Sequence, residues 1–230
     1  MKASDGVTVV TMRIDIFSDV ICPWCFIGKR RLERALRERP QGDVEICWRA
    51  FQLNPDMPIQ GMPRQLYLEA KFGGSERATQ IYETIRQNGE REGIDFRFDL
   101  ITQTPNTVRA HRLIRFATAL GQGDALVERL FTAYFTEGVD LGDLDRLADL
   151  AEEVGLSRGE AAAFLEGNEG LADVLAETRF AYESGINGVP CFIFDRHYAL
   201  AGAQEPEAFY PLFELVRSEA ANRPPAANLA

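Results

Sequence analysis

The chain has 230 residues, 46% of them hydrophobic and 26% charged, and a formal net charge of −10. That length can bury a sizeable core, and the composition excludes a fibrous or disordered chain. No apolar run approaches the roughly 18 residues of a transmembrane helix, and the acidic balance argues against nucleic-acid and anionic-membrane partners.

Four cysteines are too few for a disulfide scaffold. Met1 to Val10 lack the apolar core and small-residue cleavage site of a secretory signal. The expectation is a cytoplasmic protein, in a compartment where most thiols are kept reduced.

Met12 to Phe17 alternates as a short strand, with Ile14 and Ile16 among its apolar positions. After Ser18-Asp19-Val20-Ile21 comes Cys22-Pro23-Trp24-Cys25, and from about Trp24 to Arg39 the pattern turns helical. Phe26, Ile27, Leu32, Ala35 and Leu36 form its apolar stripe, and Pro40 and Gly42 end it. Pro23 suits the first helical turn, where a missing N–H costs nothing. Val44 to Phe51 reads as a second strand, so the chain opens β–α–β, a parallel pair with a right-handed crossover.

Asn54-Pro55-Asp56-Met57-Pro58 is a loop, and from Pro63 to Ser184 the chain reads as almost wholly helical. The spacing predicts helices near residues 64–72, 76–92, 107–120, 124–136, 144–154, 158–166 and 169–184. Strand character returns at Val189 to Phe194 and Tyr198 to Ala201, around a turn at Asp195-Arg196-His197. Pro206 to Ala221 is an amphipathic last helix. The order is βαβ, a helical block, then ββα, which one α/β unit split by a helical insertion explains most simply.

Cys-x-x-Cys between a strand and a helix has a mechanism behind it. At the helix start, unpaired N–H groups and the macrodipole favour the anion, and thiolate is the attacking species in disulfide exchange. Cys22 is therefore the candidate nucleophile. Cys25, one turn later, is the candidate resolving thiol. A zinc site would need two more ligands at matching spacing, whereas Cys47, Cys191, His111 and His197 are scattered singly, so no metal is expected. A pair of inert core thiols is disfavoured by Pro23 and Gly28. Pro190 enters an apolar strand where a backbone donor is normally wanted, which a cis Val189–Pro190 bond would explain and an ordinary trans turn would not exclude.

Together these residues resemble the DsbA-like thioredoxin superfamily, most closely its FrnE-like branch. The resemblance is carried by Phe17 to Lys29, Phe51 to Pro58, Asn106-Thr107 with Ala110 to Leu113, Gly185 to Pro190, and Ala201 to Gln204. It implies an α/β thioredoxin-like fold with a large all-helical insertion domain. Residues 12–53 and 185–221 would form the discontinuous thioredoxin-like domain, 54–184 the insertion, and 222–230 a flexible tail. It makes Cys22 and Cys25 the redox couple and Pro190 a cis-proline facing them. Pro23, Trp24, Val189, His111 and Asn54 become candidates for substrate contact.

The implied partners are protein or peptide thiols and disulfides, with glutathione as an alternative redox partner, no bound cofactor, and a homodimer left open. Kappa-class glutathione transferases and 2-hydroxychromene-2-carboxylate isomerases share the superfamily, but they typically carry serine in the nucleophile's place. The paired sulfurs thus favour an oxidoreductase or disulfide isomerase over a glutathione-dependent transferase or isomerase, or a redox-inactive chaperone. Cys191 departs from the pattern: it reads first as a small buried strand residue, and otherwise as a thiol able to tune Cys22. Cys47 reads as core, and His197 as a structural turn residue.

Overall fold

The computed structural model describes residues 12–73 and 75–222. The reading of Met1 to Val10 and the expected tail beyond Asn222 lie outside the described residues.

Strand β1 (Met12–Ser18) leads into helix α1 (Pro23–Glu38) and strand β2 (Val44–Ala50). Then come β3 (Met62–Pro63), α2 (Arg64–Phe72), α3 (Ser75–Arg91), β4 (Gln103–Thr104), α4 (Val108–Ala119) and α5 (Gly123–Thr136). Helices α6 (Leu144–Glu153), α7 (Arg158–Glu166) and α8 (Leu171–Glu183) complete the block. The hairpin β5 (Cys191–Phe194) and β6 (Tyr198–Ala201) and helix α9 (Tyr210–Asn222) close the chain. Local signals set several ends. Gly73 takes the left-handed conformation (φ 74°) that stops α2, and the Asp143 and Ser157 side chains accept backbone N–H bonds at the starts of α6 and α7.

The main sheet has the order β2-β1-β5-β6. β1 runs parallel to β2, with Ser18 opposite Ala50, and antiparallel to β5, with Phe17 opposite Cys191. Its two faces carry different packing. Ile14, Ile16, Phe192 and Phe194 meet Leu32 and Ala35 of α1 and Phe213 and Val216 of α9 on one face. On the other, Phe17 and Cys191 pack with Phe51 and with Ala181 of α8. Strand alternation imposes this division, because successive side chains point to opposite faces.

Helix α1 belongs to two cores at once. Its first two turns, with Cys25, Phe26 and Ile27, are buried among the helices, whereas Leu32 and Ala35 lie against the sheet. Phe26 stacks on Phe131 of α5 at 5.2 Å between ring centroids. Fully burying such a ring contributes about 1.5–3 kcal/mol, so α1 is firmly held to the helical block. A buried ion pair of 2.9 Å between Arg31 of α1 and Glu92, just past α3, ties the same two parts.

Two expectations need correction. The stretch from Pro63 to Ser184 is not all helix: β3 and β4 pair across 40 residues, and Phe98–Leu100 is a 3-10 turn. Apolar periodicity cannot register a two-residue pairing whose partner is so distant in sequence. Cys47 is half-buried rather than core. β2 is an edge strand, and this cysteine sits opposite Asp15 on the face that also carries Arg13 and Glu45.

Candidate active site

The buried strand β1 ends at Ser18, and a turn closed by the Cys22 N–H donating to the Asp19 carbonyl (2.9 Å) carries the chain to α1. Cys22 caps the helix in extended conformation, Pro23 occupies the first turn, and no acidic side chain stands there to oppose an anion. The Cys22 thiol donates to the Val189 carbonyl at 3.5 Å. Cys25 lies one turn on, its N–H bonded to the Cys22 carbonyl at 3.0 Å. Both cysteines are free thiols, 4% and 1% exposed.

Burial pushes the Cys25 thiol well above the ordinary cysteine value, and the hydrogen bond and charge of Cys22 add to this. The Ser18 hydroxyl and the Asp19 amide pull partly the other way. Cys25 therefore holds its proton until something removes it.

The loop opposite is formed by Val189 and Pro190, whose shared peptide bond is cis. The Pro190 carbonyl accepts the Gly202 N–H at 2.8 Å, which joins the loop to the residue after β6. Gly28 of α1 lies directly beneath Pro190. The structure thus brings together Cys22, Cys25, Val189 and Pro190, with half-buried Pro23 and Trp24 at the same helix start. Cys191 points away, into the core of Phe17, Phe51 and Ala181, where burial pushes its thiol up.

His111 and Asn54 hold other positions. His111, on α4, is 4% exposed, with Nε2 at 3.1 Å from the Phe51 carbonyl and 3.6 Å from Asp19 Oδ1. A carbonyl only accepts, so Nε2 carries a hydrogen and donates it there. Asn54 lines a 350 Å³ cleft with Leu53, Pro55, Met57, Met62 and Tyr67. His197 is exposed, with Nδ1 at 2.6 Å from the Asp195 carbonyl in the β5–β6 turn.

Two residues escaped the sequence reading. Asp19 is fully buried, and its Oδ2 accepts the Leu53 N–H at 2.8 Å, fastening the Cys22 turn to the loop after β2. A carboxylate inside the apolar stretch between strand and helix was the signal available. Tyr67 reaches the site from α2; burial pushes its phenol up, with the charges of Asp19 and Cys22 adding and Asn54 and Arg64 opposing. Nothing local in the sequence marks it.

Among the described residues, no group of three or more His, Cys, Asp or Glu side chains could hold a metal ion. No helix among them is long and apolar enough to cross a membrane. The family model for the DSBA-like thioredoxin domain matches residues 13–213. The chain belongs to that family. Its fold is the DsbA-type thioredoxin fold, a mixed sheet in a predominantly helical chain. The uncharacterized protein YwbO of Bacillus subtilis is 32% identical over 186 residues, 80% of this chain and 87% of that protein. The crystal structure of a probable DsbA oxidoreductase from Streptomyces coelicolor is 32% identical, with a TM-score of 0.81 over 95% of this chain and 94% of that one. The cytosolic disulfide reductase DsbM of Pseudomonas aeruginosa shares the fold at 18% identity, with a TM-score of 0.62 over 92% of this chain and 100% of its own.

Proposed function

We propose that this DsbA-like protein is a thiol–disulfide oxidoreductase acting on protein or peptide disulfides through Cys22 and Cys25. The observation that carries the reading is the asymmetry of the pair. Cys22 opens a helix and faces the Val189 carbonyl, while Cys25 is sealed in the core with its thiol pushed up.

In the reductive direction, the Cys22 thiolate attacks a substrate disulfide, forming a mixed disulfide and releasing one substrate thiolate. Cys25 then loses its proton and attacks Cys22, releasing the second substrate thiolate and leaving the pair oxidised. Run backwards, the same steps oxidise a dithiol. A substrate thiol that resolves the mixed disulfide itself makes the reaction an isomerisation.

Pro23, Trp24 and the Val189–Pro190 loop frame the attacked sulfur, and the backbone at Val189 offers an extended peptide an edge to pair with. The cleft at Asn54 extends this surface, whereas His111 supports it from beneath. The cycle uses only the chain's own sulfurs, with no bound cofactor. Glutathione is a fitting redox partner, supported by a structure of DsbM solved with glutathione. The reading places the protein in the cytoplasm. Turbidimetric insulin reduction tests it: the native chain should reduce insulin with a thiol donor, and Cys22→Ser should not. Equal rates for the two would overturn the assignment.

A further inference from the structure

Lys29, Arg31, Arg64 and Arg112 are the buried cations among the described residues. A charge taken out of water needs a counter-charge or a full set of acceptors. Lys29 meets Glu33, Asp124 and Glu128, and Arg31 meets Glu92 and Glu205. Arg112 donates to the carbonyls of Phe164, Leu165, Gly167 and Glu169 around the end of α7. Arg64, 8% exposed at the start of α2, is the exception. Its Nη1 donates to Thr104 Oγ1 at 3.2 Å and its Nη2 to the Tyr82 hydroxyl. The guanidinium lies over the Tyr67 and Tyr82 rings, 5.2 and 5.3 Å from their centroids. Hydroxyls and ring faces favour a cation, yet neither carries a negative charge. No carboxylate of the described residues forms an ion pair with Arg64.

Arg64 also lines a cleft of 490 Å³, whose other walls include Leu68 of α2, Phe98 and Ile101. We propose that this cleft binds an apolar monocarboxylate, whose carboxylate supplies the counter-charge that Arg64 lacks. Cys22, Cys25, Val189 and Pro190 are not among its walls, so the site stands apart from the dithiol and goes beyond the function proposed above. With Thr104 and Tyr82 served, the guanidinium keeps its Nε–H and one N–H on each Nη, enough for two parallel bonds to a carboxylate. Such bonds are charge-assisted and directional, which is why arginine suits a carboxylate better than a lysine would. Leu68, Phe98 and Ile101 receive the apolar body, and the volume lies within the roughly 300–1,000 Å³ of small-ligand sites. Glu69, which accepts a 3.1 Å hydrogen bond from Gln65, borders the same cleft and opposes a second negative charge. The cleft therefore favours one carboxylate on an apolar body over a dianion.

Isothermal titration of the full chain with three probes of equal chain length tests the site: octanoate, the neutral octanamide and the dianion suberate. Octanoate should bind at least about tenfold more tightly than octanamide, the difference a charge-assisted pair makes, and more tightly than suberate. Arg64→Met should weaken octanoate by at least about tenfold and abolish its advantage over the amide. Leu68→Trp fills the cleft without touching the guanidinium; it should weaken octanoate and octanamide alike, and it carries the test if the Arg64 variant does not fold. Cys22→Ser should bind octanoate as the native chain does. A native chain that binds no octanoate, or binds octanamide or suberate equally well, overturns the proposal. So does octanoate affinity that survives both Arg64→Met and Leu68→Trp, or that is lost in Cys22→Ser, since the ligand would then occupy the dithiol groove. Insulin reduction by the native chain is a separate readout, so failure of the dithiol reading remains distinguishable.

Discussion

Gly28 and Pro190 approach so closely that no side chain fits between them: a Cβ on Gly28 would lie 2.8 Å from Pro190 Cγ and 3.2 Å from Phe192 Cζ. The helix that begins with the dithiol and the loop that faces it are thus in backbone-to-ring contact. The separation between Cys22 and the Val189 carbonyl depends on that contact.

Gly28→Ala should therefore displace the Pro190 loop from the dithiol. Overpacking of this kind costs about 1–3 kcal/mol, seen as a lower midpoint in denaturant unfolding. Insulin reduction should fall at the same time. Unchanged stability and turnover would mean the loop can retreat without consequence.

The roles within the pair predict different dead ends. In the reduced protein, iodoacetamide should modify Cys22 first, because burial keeps Cys25 protonated. Cys25→Ser should accumulate a mixed disulfide with substrate, resolved by mass spectrometry, while Cys22→Ser should form none. Faster alkylation at Cys25 would reverse the assignment.

Asp15 illustrates a pH dependence with a definite sign. Burial works to raise its carboxyl, but the hydrogen bonds and charges of Arg13 and Arg49 outweigh it and hold the group below the ordinary aspartate value of 3.8. Such a group stabilises the fold above its unfolded value and loses that contribution as pH falls through the folded one. Asp15→Asn should cost about 1–3 kcal/mol at neutral pH. The difference from the native chain should close below about pH 3.8, as measured by unfolding at a series of pH values. A constant difference down to acid pH would contradict the ion-pair account.

Removing Glu92 should loosen the helices from the sheet. Its carboxylate binds both Arg31 and Arg34, and Arg31 also donates to the Ala203 carbonyl, one residue beyond the Gly202 that holds Pro190. Glu92→Ala leaves a buried guanidinium short of its counter-charge, a loss of about 3–5 kcal/mol when nothing compensates. Arg31 retains Glu205, so the lower end is expected. Hydrogen exchange should quicken at the amides of Gly202 and Gln204. Protection unchanged there would show that the ion pair does not brace the loop.

Much of the architecture is legible in local patterns. The bounds of α2, α7 and β6 follow from apolar spacing and from the breakers that flank them, signals contained within a few residues. The dithiol is equally local, because Cys-x-x-Cys, the proline inside it, and the strand-to-helix junction lie on one short segment. The contact between Asp19 and His111 spans two elements, and nothing in either segment announces it. Tyr67 arrives from α2 in the same unannounced way.

The sequence by itself determined which residues form the candidate dithiol and that a strand and a helix hold them. Only the tertiary structure decided which face each strand residue serves. Period-2 alternation establishes that Cys191 and Phe192 point in opposite directions, but not which of them meets α1. Pairing of Phe17 with Cys191, and cover by α8, turn Cys191 away from the dithiol. The same geometry sets Ser18 on the face of Ile14 and Ile16, which α1 covers. Such relations depend on register and on the approach of distant segments, and local propensity carries no information about either.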